Sequence, residues 1–211
     1  RLDTPKGEPT ATNLTSRLLP ELFAGFDDLD QITVLDLGPG NADTVNFLAR
    51  YRVKVFFSDL LNHQLLAKLH GQTDVADLVD LIWQQLGLPA NTSIDICLLW
   101  DGLHYLELAT IEALSRVMEP HLHNDSRGYG FGTLHGRVPP DSNRYGIADT
   151  NSLVARPANE TPKYIPHSQQ YLTNHFNALQ ISRATLLREG RLELLFEKQD
   201  PGEIRPLTPK R

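Results

Sequence analysis

Apolar residues recur along the chain in two kinds of pattern. Short continuous runs at Ile32–Leu37, Val53–Ser58 and Ile94–Trp100 have the length of buried strands, and the last is apolar enough to lie centrally in a sheet. Between them the spacing becomes helical. Val45, Leu48 and Ala49 mark the buried side of a helix ending near Tyr51. Asn62 caps a short helix carrying Leu65, Leu66 and Leu69, closed by Gly71. Val75, Leu78, Val79, Ile82, Trp83 and Leu86 form the clearest amphipathic helix, ended by Gly87 and Pro89. Leu106, Ile111, Leu114, Val117 and Met118 form another, stopped by Pro120. Strand, helix, strand in this order is the right-handed crossover of a parallel sheet.

The flanking patterns complete the outline. Leu14, Leu18, Leu19, Leu22, Phe23 and Phe26 recur at helical spacing, with Pro20 starting or kinking that helix. Gly128–Leu134 is a glycine-laden strand. Gly136–Pro166 has no clear period and is expected to be a lid or binding loop, or else a small extra hairpin. Ser168 caps a helix through Phe176. Leu179–Arg188 and Arg191–Lys198 then read as a hairpin turning at Glu189-Gly190, with Leu192, Leu194 and Phe196 alternating with Glu193 and Glu197. The expected organisation is a disordered segment over 1–13, one domain over 14–199 and a polar tail over 200–211.

Composition narrows the function classes. Of 211 residues, 40% are hydrophobic and 22% charged, the balance of a globular domain. No apolar run is long enough for a membrane span, and Arg1–Thr12 lacks the apolar core of a signal peptide. Cys97 is the one cysteine, which suits a reducing cytoplasm and leaves no cysteine metal motif. The net charge of −6, without a Lys/Arg block, disfavours a nucleic-acid or membrane-surface footprint.

The candidate chemistry lies at the strand ends. Asp36, Asp59 and Asp101 each follow a predicted parallel strand, so all three should share the sheet edge where open α/β sheets bind ligands. The first is followed by a glycine turn, Gly38-Pro39-Gly40, and then a helix start. Each Asp alone could simply cap the next helix or turn; three after three strands point to a site. The dinucleotide fingerprint needs a third glycine at position 43, where this chain has Asp43. A carboxylate there repels a pyrophosphate, so a cofactor without phosphate fits better. Asp36 favours a ligand that carries positive charge.

Asp36-x-Gly38-x-Gly40, with Asp59 and Asp101, resembles the class I S-adenosylmethionine-dependent methyltransferases over about Leu14 to Lys198, including the C-terminal hairpin. The resemblance implies a three-layer α/β, Rossmann-like methyltransferase sheet, mostly parallel with a C-terminal antiparallel hairpin. It implies S-adenosyl-L-methionine as cofactor, bound by Asp36, Gly38, Pro39, Gly40, Asn41, Asp59, Trp100 and Asp101. Asp36–Gly40 would face the methionyl part, with Asp36 offsetting its ammonium. Asp59 would accept from the ribose hydroxyls. Trp100 and Asp101 would line the wall near the sulfonium, where an aromatic face attracts a cation. The family's third glycine is Ala42 here. Its third strand, whose acidic end contacts adenine, has no counterpart in the pattern, since two helices fill that interval.

Methyl transfer needs alignment above all, and some members of the family add a general base. The candidates are His104, Asp101 and His135, each just after a predicted strand; His104 is the first choice, against the plainer reading of a buried structural histidine. No Asn/Asp-Pro-Pro-aromatic motif occurs, so a small-molecule or protein acceptor is expected rather than a nucleic-acid base. A protein partner through 136–166 is a further expectation. His121-x-His123 stands alone, and no metal site is expected. The rival readings are a non-catalytic binding or assembly module and, more weakly, a nicotinamide oxidoreductase, which Asp43 and the terminal hairpin oppose.

Overall fold

The computed structural model describes residues 11–27, 29–134, 142–158, 162–187 and 190–198. In chain order the elements are β1 (Thr12–Thr15), α1 (Leu19–Leu22), β2 (Ile32–Asp36), α2 (Ala42–Leu48), β3 (Val53–Phe57), α3 (His63–Leu69), α4 (Val75–Leu86), β4 (Ile94–Trp100), α5 (Leu108–Met118), β5 (Leu122–Thr133), β6 (Asn143–Asp149), β7 (Ser152–Pro157), α6 (Gln169–His175), β8 (Gln180–Leu186) and β9 (Arg191–Glu197). Short 3₁₀ turns, Gly102–Tyr105 and Glu119–His121, flank α5.

Six strands form the main sheet in the order β3-β2-β4-β5-β9-β8. Strands β3, β2, β4 and β5 run parallel, while β9 and β8 are antiparallel. The chain moves outward from β2 to β3 and then returns across β2 to β4. Strand order therefore reverses between β2 and β4, the place where a crevice opens at the carboxyl edge. The sheet is mostly parallel with a C-terminal antiparallel hairpin, as the pattern predicts. The interval between β3 and β4 holds only α3 and α4, so β3 is an edge strand. Lys54 on it lies 4.8 Å from the Phe56 ring, and a lysine on a free edge discourages unwanted pairing.

Period-two alternation divides the core between two faces. Leu35, Leu37, Cys97 and Leu99 pack with α3, α4, α5 and α6. Ile32, Val34, Ile96, Leu98 and Trp100 pack with α1, α2 and the second sheet. Each fully buried Leu or Ile contributes about 1.5–3 kcal/mol. In α4, Leu78, Ile82 and Leu86 face inward, the Asp74 side chain accepts from the Ala76 and Asp77 N–H groups, and Gly87 ends the helix at φ 58°. Trp83 turns outward and stacks on His121 with ring centres 5.5 Å apart.

Several local expectations change. Thr12 and Asn13, expected to be disordered, belong to β1, paired with Ala155 and Val154; residues 1–10 and the tail from 199 lie outside the described residues. The helix expected from Leu14 is only the single turn of α1, because Pro20 suits a helix start and not its interior. Val45 is exposed, and Thr44, Phe47 and Leu48 are the buried side of α2. The described parts of 136–166 carry the hairpin β6–β7, which with β1 makes a three-stranded sheet in the order β1-β7-β6. His121 Nδ1 contacts the Thr92 carbonyl (2.8 Å), whereas His123 Nε2 contacts Asp95 (3.0 Å), so the two rings hold different partners.

Alternation along β9 places Glu193 on a polar face, yet it is fully buried. The chain around α1 covers that face and supplies the missing donors. Glu193 accepts from the Ser16 hydroxyl, from the Arg17 and Leu18 N–H groups (2.9 and 3.2 Å), and from the Tyr129 hydroxyl (2.6 Å). One carboxylate thus ties the N-terminal segment to β5 and β9. Glu193→Leu strands these donors and is expected to lower stability by about 3 kcal/mol. Urea unfolding at neutral pH measures the loss, and Glu193→Gln, which keeps an acceptor, loses less.

Candidate active site

Parallel strands end on one side, and Asp36, Asp59 and Asp101 meet there. Asp36 closes β2, while Asp59 and Asp101 lie just past β3 and β4. All three line one cavity of about 470 Å³, a volume within the range of small-molecule pockets. The glycine turn brings Gly38, Pro39, Gly40 and Asn41 to the same cavity, and Trp100 completes the eight residues expected from the sequence.

Asp36 is 1% exposed. Its Oδ1 accepts from the Gly38 N–H (2.8 Å) and the Trp100 Nε1–H (2.7 Å), whereas Oδ2 has no partner among the described residues. Burial pushes its pKa up to about 6, against the pull of those two donors. Asp101 is also pushed up to about 6 by burial, opposed first by Arg191 and then by the Tyr105 hydroxyl, which donates to Oδ2 (3.1 Å). Asp59 is raised by partial burial, with Arg144 pulling the other way.

Backbone strain is concentrated here. Among the described residues, Asp59 (φ 43°) and Trp100 (φ 51°) are the two non-glycine positions at positive φ. Such positions cost about 1–3 kcal/mol and persist only where the surroundings hold them. The Asp59 N–H donates to the Gly38 carbonyl (3.1 Å), and its own carbonyl accepts from Asn62 Nδ2 (2.7 Å). Trp100 is held by Asp36, by stacking on Tyr145 (5.8 Å, 21°) and by the edge of Tyr129 (6.1 Å, 81°). In the turn, Gly40 has φ 76°, and a Cβ there would sit 2.8 Å from the Phe57 ring.

The helix start after the turn is covered. Asn41 caps α2 by accepting from the Thr44 N–H (2.9 Å), and its Nδ2 donates to the Tyr145 carbonyl (2.7 Å). The Ile147 N–H donates to Thr44 Oγ1 (3.1 Å), and Arg156 pairs with Asp43. The hairpin and the Asp43 carboxylate therefore lie against the α2 start. The hairpin also lines the cavity through Ser142, Asn143, Arg144, Tyr145, Arg156 and Pro157, residues the sequence did not single out. They lie in the stretch expected from sequence to be a lid or binding loop, where no clear period marks individual residues. Tyr105 and His63 are likewise lining residues missed from sequence.

His104, the expected base, is not brought to the cavity. It is fully buried, its Nδ1 accepts from the His167 N–H (3.1 Å), and its ring stacks between Tyr164 and His167. Burial, and then the neighbouring His167, push its pKa down to about 4. Its Nε2 has no partner among the described residues. His135 lies outside the described residues.

No protein-family model matches the chain, and no curated protein matches it in sequence. Among solved structures it is similar to an S-adenosylmethionine-dependent methyltransferase from Clostridium acetobutylicum ATCC 824, at 13% identity over 85% of this chain and 87% of that one, TM-score 0.48. It is similar to the Burkholderia thailandensis 1,6-didemethyltoxoflavin-N1-methyltransferase with bound S-adenosylhomocysteine, at 19% identity over 87% and 78%, TM-score 0.45. It is also similar to the glycopeptide N-methyltransferase MtfA complexed with sinefungin, at 10% identity over 94% and 99%, TM-score 0.48. Likeness at this level assigns no residue a role.

The raised carboxylates have a defined pH signature. With folded values near 6 against 3.8 for the free group, Asp36 and Asp101 favour folding most below 3.8, and that contribution is lost as pH rises through about 6. Asp36→Asn removes its share. The stability of that variant relative to wild type is expected to be higher at pH 7.5 than at pH 4, by up to about 3 kcal/mol. Urea unfolding across that range checks it. In a carboxyl NMR titration, Trp100→Phe should raise the Asp36 pKa further, because one donor to the charged form is lost.

Proposed function

We propose that the cavity binds S-adenosyl-L-methionine and that the protein transfers its methyl group to a small-molecule or protein acceptor. The observation that carries this reading is the convergence of three carboxylates and a glycine turn on one cavity whose helix N-terminus is closed to phosphate. The unpartnered Asp36 Oδ2 fits a ligand bearing an ammonium, directly or through water. Asp59, at the outer strand, is placed to accept from a ribose diol. Trp100 and Asp101 supply an aromatic face and a negative charge toward a cationic centre.

The cofactor supplies an activated methyl group, so what is asked of this chain is binding, orientation and exclusion of water. The strained Asp59 and Trp100 backbones fix two walls before any ligand arrives, which lowers the ordering cost of binding. Asp101, a base candidate from the sequence, lines the cavity with a pKa pushed up to about 6, as Asp36 does, which suits proton uptake from an acceptor near neutral pH.

A second reading, a non-catalytic binding or assembly module, is favoured by one feature. Among the described residues no strand lies beyond β3, so the wall against adenine has to come from α3 and its preceding turn or be absent. Calorimetry separates the readings. Methyl transfer requires S-adenosylmethionine to bind with a Kd in the micromolar range, weakened about tenfold or more in Asp59→Ala without loss of melting temperature. Affinity should also rise between pH 5 and pH 7 as Asp36 and Asp101 ionise. No heat at millimolar cofactor with folded protein sinks the first reading. Binding without turnover against a panel of small acceptors and peptides favours the second.

A further inference from the structure

The cavity has two electrostatic halves. Its floor is acidic, whereas its rim, on the β6–β7 hairpin, is basic. In the hairpin register Arg144 lies directly opposite Arg156, and both line the cavity. Like charges directly opposite in an antiparallel pair oppose hairpin formation, and the pair stands out in a chain of net charge −6. Arg156 is offset by Asp43. Arg144 is exposed, forms no ion pair among the described residues, and acts on Asp59 only as a nearby charge.

We propose that this rim is an acceptor subsite for a small molecule carrying a carboxylate or phosphate group, held by the Arg144 guanidinium with Arg156 beside it. The proposal rests on the cofactor reading above, because a cofactor on the acidic floor leaves the hairpin side for the acceptor. A guanidinium presents a planar fork of donors that matches either anion in a two-point contact. Ser142 and Asn143 add neutral polar groups next to it. The rim is also held in place. Asn41 and Thr44 fix the backbone on either side of Gly146, and a Cβ at Gly146 would meet Asn41 Oδ1 at 2.4 Å. Arg144 is therefore anchored at its backbone, and its guanidinium forms no ion pair among the described residues. An anion bound between the two arginines relieves their mutual repulsion, and an uncharged analogue does not.

The test is calorimetric titration of the full chain with benzoate and with phenyl phosphate, both with and without saturating S-adenosylhomocysteine. At least one probe is expected to bind wild type in the millimolar range. Arg144→Gln should weaken that binding about fivefold or more, and Arg144→Lys should restore part of it. Stronger binding of benzoate assigns a carboxylate acceptor, and stronger binding of phenyl phosphate a phosphate ester. The proposal is overturned if neither probe binds, or if Arg144→Gln leaves probe affinity unchanged. It is also overturned if that variant weakens S-adenosylhomocysteine but not 5′-methylthioadenosine, since the guanidinium then serves the cofactor's own carboxylate. Should S-adenosylhomocysteine fail to bind wild type, the cofactor reading fails, and the titration without it still decides the anion site.

Discussion

The hydrogen bonds that the Asp36 carboxylate accepts from Gly38 and Trp100 join three parts of the molecule. One oxygen links the end of β2, the glycine turn and the end of β4. The turn has to follow β2 tightly for the Gly38 N–H to reach back two residues. Trp100 has to adopt a left-handed backbone, rare for a bulky side chain, while its indole N–H points at the same oxygen. Its ring then becomes the surface on which Tyr145 of the hairpin lies. The hairpin's place over the cavity thus depends on a buried carboxylate of the other sheet.

That carboxylate is expensive to bury. Its second oxygen is without a partner among the described residues, and its pKa rises toward 6 as a result. Asp101 shows the same shift from the same cause. Two buried acids that must ionise in one cavity weaken the fold at neutral pH, and function is the usual reason such a cost persists. Glu193 is the contrast. It is as deeply buried but is surrounded by donors from the chain around α1 and from Tyr129, and it acts as an anchor.

The hairpin gives the cavity its selectivity. It closes the α2 start to phosphate through Asn41, Thr44 and the Arg156–Asp43 pair, and it sets two arginines over an acidic floor.

The centre of the main sheet was legible in the sequence because β2 and β4 are buried on both faces and read as continuous apolar runs. The Asp residues that close those runs fell on one edge because parallel strands share a direction. Asn41, Asn62, Asp74 and Ser168 behave as local caps, and Gly87 and Gly190 as local turns, since each acts within a few residues of itself. The burial of Glu193 was not legible, because three of its four donors sit more than 170 positions away. A small hairpin in 136–166 was one of two readings, and what it packs against, α2 and β1, was not legible. His104 followed a strand, as a catalytic residue would, yet only the packing of Tyr164 and His167 around it determined that it faces the core. The sequence by itself determined which residues gather at the carboxyl edge, because strand direction and hydrophobic period are local properties of the chain. Tertiary structure alone decided which charges stay unpaired and what covers the helix start, because both depend on segments that meet only after the sheet has formed.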